Sequence, residues 1–349
     1  MNRNRTLMLK AGLNGLYMTG AHLWLAPATR GRGTVFTLHH VRPDSGDPFS
    51  PNRVLEITPE FLDRTIKRLR GAGIDLVSLD EAYRRITSDK PERRFAAFTL
   101  DDGYRDNLEY AAPVFQANDC PYAIFVVTSL PDGQLEMWWR GLEAVISNRD
   151  AIAVDMGERR YLECADVDQK YATYETVYWW LRSLDEESKL NAVRELCDRY
   201  GVDMSQLARD VRMTWPQVGT AAADPLCTIG AHTVTHAALA RIDEKRMISE
   251  MRDGALIIEA ALGSRPAYFA YPYGDGCSAG KREYAAAEAL GFKMAFTTRP
   301  GVIRRSDCNR LMSLPRVSLN GDYQSLHYVD LFISGVPFAL MNGLSRQAA

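Results

Sequence analysis

Residues 95–103 read Phe-Ala-Ala-Phe-Thr-Leu-Asp-Asp-Gly, a short apolar run ended by two carboxylates and a turn residue. Such a run, bounded by a turn signal, reads as a strand buried on both faces, the kind that parallel sheets contain. Downstream, a helix over 107–118 leads to a second run, Tyr122–Thr128. Upstream lies Thr34–Leu38, then Thr58-Pro59-Glu60, an N-cap followed by proline at the first helical position. Phe61, Leu62, Ile66 and Leu69 continue it at helical spacing until Gly71–Gly73; Ile74–Leu79 is the next apolar run, and a short helix opens at Asp80 and ends near Ser88. The alternation returns later as Leu226–Gly230, a helix at 243–262, Ala267–Tyr271, a helix at 281–290 stopped by Gly291, and Lys293–Thr297. Strands alternating with helices predict a parallel α/β fold.

Between about 131 and 213 the alternation pauses. This stretch holds Trp138-Trp139, Trp179-Trp180 and a helix expected at 186–200, with Leu190, Val193, Leu196 and Cys197 on one face. It reads as a mainly helical insertion. Its tryptophans are either core and interface anchors or a lid that stacks on sugar rings.

Composition narrows the function classes. The 349 residues fit two small domains or one barrel. Forty-two Lys plus Arg against 44 Asp plus Glu leave a net charge of −2, so the basic excess of a nucleic-acid binder is missing. Six dispersed cysteines without a CxxC indicate neither a zinc ribbon nor a thioredoxin-type site, and fit reduced thiols in a cytosolic setting. Residues 1–33 carry Arg3, Arg5 and Lys10 and then an apolar stretch interrupted by Asn14, Thr19 and His22, which reads as an amphipathic helix rather than a signal peptide. At the other end, 321–349 contain an apolar segment broken by Pro337. Either both ends pack on the body of the protein, or they attach it peripherally to the inner membrane face.

Three clusters fall at the ends of expected strands: Thr99-Leu100-Asp101-Asp102-Gly103, His232-Thr233-Val234-Thr235-His236, and Tyr271-Pro272-Tyr273-Gly274. In barrel enzymes, functional groups come from the C-terminal ends of several strands, where loops converge on one mouth. Adjacent carboxylates repel unless a cation or proton intervenes, so one Asp on a metal and the other free as a base is a natural division. Taken alone, Asp-Asp-Gly is also a turn signal. Two imidazoles four residues apart suit a single metal if the segment is helical or turn-like, and with one Asp they suit a catalytic zinc with open positions. The same set suits the facial triad of a non-heme iron oxygenase.

TLDDG, HTVTH and FAYPYG, in that order, resemble the first three motifs of the polysaccharide deacetylase family, also called NodB-homology or carbohydrate esterase family 4. The resemblance covers about 34–128 and 226–320. It implies a distorted (β/α) barrel over 34–320, carrying the insertion, and a hydrolase that removes acetyl groups from sugars, mostly N-acetyl groups of amino sugars. By position it implies that Asp101 is the general base, that Asp102, His232 and His236 hold a divalent metal such as Zn2+, and that the backbone N–H of Tyr273 helps to hold the oxyanion. The opening Thr37-Leu38-His39-His40-Val41 is similar to that of a circularly permuted subgroup, the poly-N-acetylglucosamine deacetylases, which makes His39 the counterpart of the general acid; His40 and His327 are the alternatives. The arginine that often orients the base is missing, since Ala270 and Tyr271 stand in its place, and Arg316 in Leu314-Pro315-Arg316-Val317 is the candidate replacement.

The expected activity is therefore metal-dependent N-deacetylation of an amino-sugar glycan, free or lipid-linked. An O-acetyl esterase or a non-sugar amidohydrolase on the same barrel is the alternative, ahead of a non-enzymatic metal-binding protein. Which glycan, which metal and which oligomeric state are left open by the sequence.

Overall fold

The computed structural model describes residues 3–90 and 92–347; residues 1, 2, 348 and 349, the outermost parts of the two expected terminal segments, lie outside the described residues. Among the described residues seven strands form the barrel: β1 (Gly33–Leu38), β2 (Phe95–Asp102), β3 (Tyr122–Val126), β4 (Cys227–Ala231), β5 (Tyr268–Ala270), β6 (Met294–Pro300) and β7 (Leu314–Ser318). Each pairs in parallel with the next in sequence, and β7 closes the ring on β1 through Phe36↔Val317 and Thr37↔Ser318. The ring is distorted: β5 meets β4 only at Phe269↔Ala231, and the β6–β7 register shifts between Phe296 and Pro300. The expected strand at 74–79 shortens to Asp75–Leu76, an appendage on the start of β2.

Side chains alternate across the barrel wall. Val35, Phe95, Ala97, Phe125, Tyr268, Phe296 and Leu314 form one buried cluster, while Phe36, Leu38, Phe98, Leu100, Ile124 and Phe269 join a second with the surrounding helices. Because the strand period is two, this parity decides what reaches the barrel axis. Thr99 and Asp101 share the parity of Phe95 and Ala97, Arg316 that of Leu314, and His39 continues that of Val35. The interior is tight: a Cβ on Gly230 would come within 2.3 Å of the Phe125 ring, so this position takes only glycine.

Helices pack outside by their apolar stripes. In Pro59–Gly71, capped by the Thr58 side chain, Phe61, Leu62, Thr65, Ile66 and Leu69 are buried. Each large apolar side chain buried this way contributes about 1.5–3 kcal/mol. The segment 107–118 is not uniform, starting as a π turn (Asn107–Ala111) before the α-helix Ala112–Ala117.

Between β3 and β4 stand helices Trp138–Ser147, Val167–Ser183, Glu186–Tyr200, Met204–Val211 and Trp215–Ala222. They accompany an antiparallel hairpin, Ala151–Asp155 with Arg159–Glu163, that helical periodicity did not announce. Trp138, Leu142, Val145, Val177, Val193 and Leu196 give this region a core of its own. The N-terminal stretch is two helices, Arg3–Met18 and Ala21–Thr29, separated at Gly20, whose φ of 68° no helix continues through. They pack on the C-terminal helices Leu326–Ser334 and Val336–Gln347.

Candidate metal centre and active site

The ends of β1, β2, β4, β5 and β7 meet at one mouth. Asp101 sits on the inward parity of β2 and receives Arg316 from β7 in a bidentate pair, Nη1 donating to Oδ1 and Nη2 to Oδ2 at 2.7 Å each. Arg316 is fully buried and also donates to Thr99 Oγ1 (3.0 Å) and the Thr297 carbonyl (3.1 Å), so all three of its nitrogens are occupied. Burial would raise the Asp101 carboxyl; the guanidinium beside it overcomes that and holds it below the usual carboxylate range.

By strand parity Asp102 should point away from the axis. Its φ of 77° turns it instead toward the loop after β4. There Oδ1 lies 3.4 Å from Nε2 of His232 and 3.4 Å from Nε2 of His236. The His232 ring is fixed by its other nitrogen, 2.7 Å from the Ala270 carbonyl. That contact makes Nδ1 the protonated atom and leaves the Nε2 lone pair facing Asp102. Burial pushes the His236 imidazole down to about 3, so it is neutral near pH 7. Burial opposes the Asp102 charge as well, but His236 and His232 hold this carboxyl far below its ordinary value.

Asp102 Oδ1 and His236 Nδ1 are buried without any hydrogen-bond partner. Native proteins satisfy such groups, so an orphaned carboxylate oxygen between two imidazole nitrogens calls for a cation. The ligand atoms of Asp102, His232 and His236 lie within 4.8 Å of one another, and all three residues are buried. Two imidazoles and one carboxylate form a donor set for a divalent cation of the Zn2+, Co2+ or Ni2+ type. These residues fit the group.

Backbone strain concentrates here. Of five non-glycine residues with positive φ among the described residues, Asp102, Thr233, His236 and Tyr273 belong to this mouth. Thr233, β-branched at φ 68°, is the most unfavourable. Such conformations cost about 1–3 kcal/mol each and persist only where the surroundings over-determine them. The helix Glu244–Leu262 supplies the restraint: Glu250 accepts from the N–H groups of Val234 (3.0 Å) and Thr235 (2.8 Å) and from Thr235 Oγ1 (2.6 Å). Gly254 of that helix lets the loop approach, since a Cβ there would sit 3.0 Å from the Thr233 carbonyl carbon.

His39 is half-buried, makes no side-chain hydrogen bond among the described residues, and feels the charges of Asp102, Asp101 and Arg316. Burial lowers its pKa, more than the two carboxylates raise it. His40 is engaged elsewhere, with Nδ1 2.6 Å from Asp106 Oδ2 and its ring stacked on Tyr104 at 3.7 Å. His327 lies outside the mouth, between Ser325 and Asn14 of the first helix. The Tyr273 ring packs on His236 (4.8 Å between centroids), and its hydroxyl accepts from Trp138 Nε1 at 2.8 Å.

The insertion contributes residues that sequence reasoning did not single out. Lys189, almost wholly buried, donates to both oxygens of Glu186 at 2.7 Å and reaches the Tyr273 hydroxyl at 3.5 Å. The Arg182 guanidinium lies 4.1 Å from the Tyr273 ring centroid. With Trp139, Thr235 and His236, Lys189 lines a cavity of about 220 Å³ that opens beside the metal residues. Trp138 and Trp139 are both buried and both line this cavity, Trp139 with its ring 5.3 Å from that of His236. None of Glu250, Glu186 or Lys189 belongs to a local motif; only the fold brings them here.

The polysaccharide deacetylase family model matches residues 171–295, a segment that includes HTVTH and FAYPYG but begins inside the insertion and leaves the Asp pair outside. The fold is that of several solved deacetylases. The Streptococcus pyogenes deacetylase PplD, in complex with acetate, is 17% identical, with 82% of this chain and 92% of that chain covered at a TM-score of 0.55. IcaB from Ammonifex degensii is 19% identical over 87% and 97%, at 0.55. A de-N-acetylase from Aggregatibacter actinomycetemcomitans is 14% identical over 86% and 99%, at 0.54. No curated protein sequence matches the chain. The motif-based resemblance and the barrel expected from it are thus both supported, by sequence model and by fold.

Proposed function

We propose that this chain is a metal-dependent hydrolase that removes N-acetyl groups from an amino-sugar glycan. The observation that carries this reading is the separation of two consecutive carboxylates, Asp101 locked by Arg316 and Asp102 turned to the imidazoles of His232 and His236. A carboxylate kept off the metal set and held ionised is suited to take a proton from water. A cation held by Asp102, His232 and His236, with Zn2+ the first choice, would supply Lewis acidity to the acetyl carbonyl and to the attacking water.

The remaining work belongs to the chain's own groups. Asp101 accepts the water proton as the C–O bond forms, and the N–H of Tyr273, which has no acceptor among the described residues, donates to the developing oxyanion. The C–N bond then breaks and acetate leaves, while His39, having taken up a proton from solvent, gives it to the departing amine and Asp101 afterwards returns the water's proton to solvent. A lowered pKa makes the His39 imidazolium a strong donor once formed, with the two carboxylates close enough to stabilise its charge. Trp139 at the cavity wall offers an apolar face to a sugar ring.

Acetate release from a panel of N-acetylated and O-acetylated glycans, with metal and with chelator, tests the reading. Chelator-sensitive release from N-acetylated members is expected, and Asp101→Asn should lower turnover about 10²–10⁴-fold while leaving metal binding intact. Release from O-acetyl esters alone would move the function to an esterase. No release from any substrate by metal-loaded protein would sink the proposal.

A further inference from the structure

The two terminal helix pairs leave an apolar surface uncovered. Leu7, Met8, Met18, Leu23, Trp24 and Leu340 are each more than half exposed, with Met18 and Trp24 at 85%. Elsewhere among the described residues, only Tyr161 and Trp179 of the large apolar side chains exceed one half, and they stand apart in the insertion. Scattered exposed apolar residues need no explanation; six of them gathered on three helices that contact one another do.

Charge says what covers it. Residues 1–43 contain six Lys and Arg and no Asp or Glu, and residues 331–349 contain Arg346 and no carboxylate. The nearest acidic side chains are already paired, Asp322 with Lys10 and Asp330 with Arg68. A second copy of the same face would bring cation against cation. Lys10 and Arg42 are themselves paired, with Asp322 and Glu56, but the segments carry no acidic residue of their own; an anionic surface meets them with complementary charge, and helices that combine apolar side chains with Lys and Arg have the composition of those that lie in a bilayer interface. No helix among the described residues is long and apolar enough to cross a membrane.

We propose that helices Arg3–Met18, Ala21–Thr29 and Val336–Gln347 dock the protein in plane on an anionic phospholipid bilayer. The surface runs along the flank of the barrel. Lys10 reaches Asp322, just beyond the C-terminal end of β7, while Thr29 Oγ1 donates to the Ser334 carbonyl and Arg94, just before β2, donates to the Ile333 carbonyl. The docked barrel therefore lies on its side, with its mouth at the edge of the lipid surface rather than facing away from it.

Co-sedimentation of the full chain with vesicles of phosphatidylglycerol and of phosphatidylcholine tests this. Binding to phosphatidylglycerol, weakened by salt and at least about tenfold weaker on phosphatidylcholine, is expected. The double variant Leu23→Glu, Trp24→Glu changes only exposed side chains; it should keep the parent's melting temperature and lose vesicle binding by at least about tenfold. Absence of vesicle binding, equal binding to both lipids, or undiminished binding by the double variant would each overturn the proposal. Self-association abolished by the double variant, without vesicle binding, would assign the face to a second copy instead.

Discussion

Asp101 and Asp102 are neighbours in sequence with separate partners, and one backbone angle divides them. Asp101 keeps the strand's inward parity and meets Arg316; Asp102 leaves it through a left-handed φ of 77°. Arg316 should therefore set the pH at which Asp101 becomes a base. A base works when ionised, above its own pKa, and Arg316 holds that value below the ordinary one. Replacing the bidentate fork with one ammonium, Arg316→Lys, raises the Asp101 pKa, so the acid limb of the pH–rate profile should move to higher pH. Stability follows the same sign. A depressed carboxyl contributes stability above its unfolded value of about 3.9 and loses it as pH falls through the folded value, so with a smaller depression the variant should lose less stability in acid, and the loss should be complete at a higher pH than in the parent. Arg316→Ala strands a buried charge and should cost about 3–5 kcal/mol in denaturant unfolding. Asp101, Asp102, His232 and His236 were legible as a group because each motif is contiguous and follows an apolar run. His39 is preferred to His40 on the resemblance of residues 37–41 to the permuted subgroup, and strand parity from Val35 and Thr37 agrees with that preference, whereas the left-handed turn at Asp102 had no such signal, because aspartate at positive φ has no neighbouring signature except the glycine that follows.

At the level of elements, the metal residues are positioned by parts of the chain that carry no motif. Glu250 sits near the middle of a 19-residue helix and caps the loop that presents both histidines. Glutamate within a helix reads as ordinary solvent-facing charge, and only the approach of Thr233 over Gly254 gives it this role. Glu250→Ala should free the loop from its strained conformation and weaken metal affinity about 10–100-fold, measured by competition with a chromophoric chelator. The helix Glu186–Tyr200 was readable from its apolar face, but its buried pair was not, since Glu and Lys three apart normally face water. Lys189→Met should leave Glu186 charged and buried, destabilising the protein by about 3–5 kcal/mol in thermal or denaturant melts. Adding Glu186→Gln should recover much of that loss, because a pair removed together leaves no orphaned charge.

Over the whole molecule, the alternation of apolar runs and helices was enough to read a parallel α/β fold, because each strand pairs with the next in sequence and needs no long-range information until β7 closes on β1; the barrel itself was expected from the resemblance of the motifs. Closure itself was not legible. β5 has three residues and a single register pair with β4, too little for any periodicity to announce. This weak seam lies beside the metal residues: His232 and His236 follow β4, His232 is tied to the carbonyl that ends β5, and Asp102 ends β2 two strands away. A cation held by these three would tie β2 to β4 where backbone pairing to β5 is thinnest. It would also remove the buried, partnerless oxygen of Asp102. A ligand that binds only the folded chain stabilises it by about 2.7 kcal/mol at one hundred times its dissociation constant. Thermal unfolding should therefore shift upward by several degrees with Zn2+ and fall with chelator, while His236→Ala, which lacks one ligand, should respond to neither. If the melting temperature of the parent protein is unchanged by chelation and by added metal, the triad does not hold a cation, and the chemistry argued for Asp101 loses its partner.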